Sequence, residues 1–315
     1  MFVSQLHRWM LLVVIAGALI GCDGQSLEKA LAPDPETQRW NSPSPELTSP
    51  QPAAKETPQP KVTVTPTLET PQQFVDLESA PSNLRPLIED LARLELLNPG
   101  SQTNAGDPLF EPNQPIDRAT FVRWLVQTNN RLYRDRPTRQ LRLAEAESAQ
   151  PVYTDVPPTH PDFPYIQGLA EAGYLPSPLT GDVNEKTFRP AAPLTRETLL
   201  NWKVPVDQQK ILPTATAAKV KELWGFKDSD QVSTPAASAI VADHANGDLA
   251  NIRRMVGASL LLQPQKPVTR AEAAAALWYI GTEGQGYSAK EVLRAEVQSA
   301  SSPTPPAEIS PSASP

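Results

Sequence analysis

Val268-Thr269-Arg270-Ala271-Glu272 reads as a helix start with a cation in an unusual place. Thr269 suits an N-cap, and Glu272 three residues on completes a capping box. Arg270 then falls at the first helical position. That is the positive end of the helix dipole, where a cation costs roughly 0.3–1 kcal/mol unless an anion compensates it. Related stretches occur twice more, Leu194-Thr195-Arg196-Glu197-Thr198 and Ile116-Asp117-Arg118-Ala119-Thr120.

Working outward from the arginine gives one register. An aromatic residue opens each unit (Phe74, Tyr153, Phe226), with an Asp two residues on (Asp76, Asp155, Asp228). An Ile follows (Ile88, Ile166, Ile240), then a Leu (Leu97, Leu175, Leu249), an apolar anchor (Phe110, Phe188, Leu262) and a Pro (Pro112, Pro190, Pro264). The aromatic-to-Arg separation is 44, 43 and 44 residues (118 − 74, 196 − 153, 270 − 226). Such internal repetition predicts stacked or pseudo-symmetric units that share a core.

Each unit reads helix–loop–helix, so the expected fold is mostly α. Leu84, Leu87, Ile88, Leu91 and Leu94 follow helical spacing in the first unit. Ile166, Leu169 and Ala170 do so in the second, ending at Gly173, and the third helix runs from about Pro235 to Asn246-Gly247. Gly173 and Gly247 suit left-handed C-caps. The second helices start at the capping signal, with Phe121, Val122 and Leu125, or Ala273, Ala274 and Leu277, on one face. The middle one is weaker: Lys203 takes an apolar position and Pro205 breaks the pattern. Asn251 to Met255 reads as a loop, the most basic in the repeats.

Composition bounds the rest. The 315 residues include 36 prolines and one cysteine, and the formal net charge is −7. That balance argues against a nucleic-acid partner. One cysteine excludes an intramolecular disulfide and a thiolate metal cluster. His7 and Arg8 precede an apolar run from Trp9 to Ile20 that ends in Leu19-Ile20-Gly21-Cys22. The run is short for a membrane span and suits a signal-peptide core. It resembles a bacterial lipoprotein signal, which implies lipidation of Cys22 and attachment to a membrane. An ordinary signal peptide or a short anchor is the alternative.

The expected organisation is a signal over 1–21, a Pro/Ser/Thr-rich tether over 22–73, and repeats over 74–135, 151–204 and 224–281. A charged linker (136–150) and a connector (205–223) separate the repeats, and 282–315 holds a short helix over Ser288 to Gln298 and a disordered tail. A Pro-rich tether of this composition does not bury a core and extends at roughly 3 Å per residue.

The aromatic-x-Asp, the amphipathic helix, the Phe-x-Pro and Val268-Thr269-Arg270-Ala271-Glu272 resemble the S-layer homology domain. The resemblance covers about residues 74–281, and the lipoprotein signal, tether and three repeats together look like cyanobacterial envelope lipoproteins. It implies a pseudo-threefold helical spindle whose grooves bind an anionic, often pyruvylated, polysaccharide attached to peptidoglycan, with the motif Arg at the acidic sugar. It implies no cofactor, no metal, no enzymatic activity and a lipid-anchored place in the extracytoplasmic cell envelope. The units depart from the family pattern at Asp117, Thr120 and Thr198.

Two readings of Arg118, Arg196 and Arg270 stand side by side. Each reaches a neighbouring carboxylate such as Glu197 or Glu272, or each meets an anionic ligand at a helix start. Arg253, Arg254 and Lys266 lie near Arg270 in sequence, which makes that groove the first choice for an acidic sugar. Asp76, Asp155 and Asp228 suit turn caps more than metal ligands. Trp124, Trp202 and Trp278 suit core positions or sugar-stacking platforms, and His160 and His244 suit surface positions. No Gly-x-Ser-x-Gly, His-Glu-x-x-His or P-loop pattern occurs. The remaining alternative is a scaffold whose repeats bind another envelope protein.

Overall fold

Residues 74–301 are described by the computed structural model, and they are mostly helical. The signal segment, Cys22, the tether and the tail beyond 301 lie outside the described residues. In chain order the helices are α1 (Arg85–Arg93), α2 (Arg118–Leu132), α3 (Phe163–Glu171), α4 (Arg196–Gln208) and α5 (Ala217–Trp224). There follow α6 (Thr234–His244), α7 (Asn251–Val256), α8 (Arg270–Leu277) and α9 (Ala289–Ser301). Two antiparallel pairs of two-residue strands complete the set: β1 (Ser101–Gln102) with β2 (Pro108–Leu109), and β3 (Tyr279–Ile280) with β4 (Tyr287–Ser288).

The three capping signals all start helices. Asp117, Thr195 and Thr269 each accept the backbone N–H three residues on. In α8 the box closes as its spacing predicts, with Glu272 accepting from Thr269 N at 3.2 Å. Just before these caps the three segments hydrogen-bond to one another in a closed cycle. Ile116 N donates to Val268 O at 2.9 Å, Val268 N to Leu194 O at 2.8 Å, and Leu194 N to Ile116 O at 3.0 Å. The first N–H of each helix is also taken by a neighbouring unit: Arg118 N by Ala192 O, Arg196 N by Lys266 O and Arg270 N by Gln114 O. A helix start normally leaves these donors open to an anion. Here they hold the units together.

The repeated Asp is a loop clamp. Both carboxylate oxygens accept consecutive backbone N–H groups ahead of the Pro: Phe110 and Glu111 for Asp76, Phe188 and Arg189 for Asp155, Leu262 and Gln263 for Asp228. The second residue of each pair is left-handed, with φ of 57°, 57° and 53°. Such non-glycine conformations are strained, and the clamp supplies the compensation. Replacing Asp155 with Ala should therefore destabilise the repeats by about 1.5–3 kcal/mol in urea unfolding, the usual cost of losing hydrogen bonds to a charged group.

Three sequence expectations change. The middle helix does not break at Pro205; α4 runs to Gln208, past the expected end of the second repeat at 204. The connector holds α5. Asn251 to Met255 is helical, in α7, because Asp243 accepts the N–H groups of Asn251 and Ile252 at its start. The helix expected over Ser288 to Gln298 is α9, which extends to Ser301 and packs Val292 and Leu293 on the core.

Lys203 is fully buried instead of marking a weak helix. Its ammonium donates to both oxygens of Asp207 at 2.6 and 2.7 Å and to Tyr279 O at 3.0 Å. Asp207 also accepts from Gly281 N and Asn251 Nδ2, both at 2.9 Å. Asn251 in turn donates to Asp243. The network ties α4 to α6, α7 and the turn after β3. Every residue of α8 is buried, from Arg270 to Leu277. Its alanines let α1, α2 and α7 approach it closely.

Candidate functional site

The cycle of helix starts sends each motif arginine into the neighbouring unit. Arg118 reaches the second unit, with its guanidinium 5.1 Å from the Phe188 ring and 4.8 Å from the Trp202 ring. Arg270 reaches the first, 5.0 Å from Phe110 and 4.8 Å from Trp124. Arg196 reaches the third, where the equivalent positions hold Leu262 and Ala276 and offer no ring. Trp278 is not the third counterpart of Trp124 and Trp202; it caps the C-terminus of α8 and donates to Asp90 at 2.9 Å.

The three guanidinium groups have different partners. Arg270 is 6% exposed and donates to Phe110 O at 2.6 Å and Asn98 O at 2.5 Å. Arg196 is 5% exposed and donates to Leu262 O at 2.7 Å and Glu272 Oε1 at 2.5 Å. Arg118 is half-buried and donates no side-chain hydrogen bond among the described residues; its Nε is buried and unpartnered. Burial, followed by the nearby Arg189 charge, pushes its pKa below the ordinary arginine value, while Glu185 opposes the shift.

Three substitutions on the second unit account for this. Where the first unit has Phe74, the second has Tyr153, whose hydroxyl takes Pro176 O at 2.8 Å. The equivalent carbonyl, Asn98 O, is the one Arg270 uses. Pro176 stands where Asn98 stands, so Trp202 lacks the acceptor that Trp124 finds in Asn98 Oδ1 at 2.6 Å. Thr198 stands where Glu272 stands, so no carboxylate meets Arg118; its hydroxyl instead pairs with Thr195 at 2.8 Å. Trp202, only 2% exposed, is left with an indole N–H that donates to nothing among the described residues.

Arg118 and Trp202 line an open cavity of about 490 Å³, together with Tyr153, Tyr174, Asn201 and Arg189. Asp182 and Glu185 line it as well. Two cations, two carboxylates and three aromatic side chains suit a sugar that carries an acid and free hydroxyls: arginine takes the acid, carboxylates accept from hydroxyls, and rings meet the apolar sugar face. A smaller cavity of about 350 Å³ includes Arg196 and Lys266, but there Glu272 holds Arg196 and lies 3.9 Å from the Lys266 ammonium.

The cations placed beside Arg270 by sequence do not gather there. Arg254 sits at the opposite end of α8, where it donates to Ala275 O at 2.9 Å, Ala276 O at 2.8 Å and Asn251 Oδ1 at 2.8 Å, and to Leu249 O. It works as a buried C-terminal cap. Arg253 is exposed and lies over the Trp224 ring at 5.5 Å. Tyr153 and Pro176, which with Thr198 decide the free groove, lie outside the conspicuous Arg stretch. Laying the three units side by side at Phe74, Asn98 and Glu272 exposes them. His160 accepts from Asp162 N, and His244 packs edge-on to Trp224. No family model matches the chain, and no curated protein matches it significantly.

Proposed function

We propose that this chain is a non-enzymatic envelope lipoprotein whose repeats bind an anionic polysaccharide linked to peptidoglycan. Lipidated Cys22 would hold it to a membrane and the Pro-rich tether would span the gap, so that membrane and wall are coupled. The three units would form a pseudo-threefold spindle around the cycle of helix starts. The observation that carries the reading is the unequal satisfaction of the three arginines: only Arg118 faces a cavity without an internal acceptor, beside an indole N–H in the same condition.

The ligand class follows from the chemistry. A guanidinium held against two stacked rings loses little freedom on binding, and a sugar carboxylate offers it two parallel acceptors. Of the three grooves, the one between the first and second units is therefore favoured over that of Arg270.

The full chain in detergent should pellet with purified sacculi, and less with sacculi stripped of their ketal-linked or other acidic groups. Equal pelleting on both, or none, rejects the polysaccharide role. A stoichiometric protein recovered by crosslinking in intact cells, with wall association unchanged in Arg118→Ala, would favour the scaffold instead. Release of sugar from sacculi would overturn the non-enzymatic reading.

A further inference from the structure

The Arg118 cavity does not end at Trp202. Gly173, Tyr174, Asn201, Pro205 and Pro235 line it and also line a second cavity of about 380 Å³ that reaches Lys210. Ala172, Tyr174 and Gln209 line that second cavity and a third of about 530 Å³, which reaches Arg142. The shared walls make one trough. Its side is a stripe of α4: Thr198, Asn201, Trp202 and Pro205 share one face, and Gln209 continues the stripe just past the helix end. At 1.5 Å per residue the stripe is about 16 Å long, more than one sugar ring needs.

Polar groups without internal partners recur along it. The Asn201 amide, the Tyr174 hydroxyl and Trp202 Nε1 make no side-chain hydrogen bond to a described residue. Pro205 has no N–H, so the Asn201 carbonyl lacks its usual helical donor at the trough wall. Exposed Lys210 and Arg142 carry no ion pair among the described residues. Arg142 is positioned by a close approach: its carbonyl lies where a Cβ on Gly168 would come within 2.3 Å. The segment read as a plain linker thus forms a wall.

We propose that the trough holds several consecutive sugars of an acidic glycan, gripped along its length from Arg118 past Tyr174 to Lys210 and Arg142. This rests on the polysaccharide reading and adds that recognition extends beyond one acidic sugar. A chain with a second acid some way from the first would meet Lys210 and Arg142, while its hydroxyls meet Asn201 and Tyr174.

The test uses the full chain in detergent and glycan released from purified sacculi by enzymatic digestion at neutral pH, separated into single-sugar and longer fractions. Each fraction competes against pelleting with intact sacculi. For the wild type the longer fraction should compete about tenfold better per mole, equivalent to about 1.4 kcal/mol. Lys210→Glu/Arg142→Glu should keep single-sugar competition and lose that preference. Both side chains are exposed, and a thermal melt checks that the fold is kept. Length preference retained in this variant, or absent from the wild type, overturns the trough. Failure of the wild type to pellet at all overturns the polysaccharide reading and the trough with it.

Discussion

Replacing Lys203 with Met should destabilise the repeats by about 3–5 kcal/mol, the usual cost of removing one partner from a buried ion pair. The methionine fills most of the space but leaves the Asp207 carboxylate uncompensated against Gly281 N and Asn251 Nδ2. Urea unfolding at neutral pH measures the loss. A Lys203→Met/Asp207→Leu pair should recover part of it, since it removes both charges; a double variant no better than Lys203→Met would show that Asp207 is held by its other donors. The pair also has a pH signature. Burial lowers the Lys203 pKa from 10.5 to about 8, opposed chiefly by Asp207. Between these values the unfolded chain keeps a proton that the folded chain has released, so this lysine's contribution to stability rises with pH. Tyr153 works the other way above pH 10, because burial raises its pKa and the folded chain then keeps a proton that the unfolded chain loses. The denaturation midpoint should therefore rise from pH 8 toward pH 10, and Lys203→Met should remove that rise.

Arg270→Ala should cost about 3 kcal/mol or more. It strands the buried Phe110 carbonyl, at roughly 1–3 kcal/mol, leaves the part-buried Asn98 carbonyl without its donor, and empties the space beside Phe110 and Trp124. Arg118→Ala removes only the ring contacts and should cost about 1 kcal/mol. On sacculi the order reverses: Arg118→Ala should lose association while its melting temperature stays close to wild type. The same substitution at equivalent positions thus separates stability from binding. An Arg270→Ala chain as stable as Arg118→Ala would sink the distinction between the two grooves.

The sequence was most legible where one short stretch does one job. The caps at Asp117, Thr195 and Thr269 and the apolar faces of the helices depend on neighbours a few residues away, so spacing alone finds them. The repeated Asp reads as a turn cap, but the loop it clamps lies 33 to 35 residues on. Lys203 was illegible for the opposite reason: its acceptor Tyr279 O, and Gly281 N, which bonds its partner Asp207, lie more than seventy residues on, and only Asp207 is local. Pro205 reads as a breaker by propensity, yet its ring and missing N–H face the trough, where the helix has no packing to lose. The site was half legible. The arginines were found, but which one is free depends on Tyr153, Pro176 and Thr198 in another unit. The best-preserved stretch, around Glu272, turned out to be the most internally committed: one carboxylate caps its own helix and holds Arg196.

The ring made by Ile116, Val268 and Leu194 also sets the copy number. Open repeat arrays can lengthen because their last unit always presents an unfilled edge. Here the last unit bonds back to the first, and a fourth would meet no vacancy. Two units would leave one amide and one carbonyl exposed where the third had closed the circuit. Variation fits instead at the groove positions of each unit, as Tyr153, Pro176 and Thr198 show in the second, where one copy can be specialised while the backbone circuit stays shut.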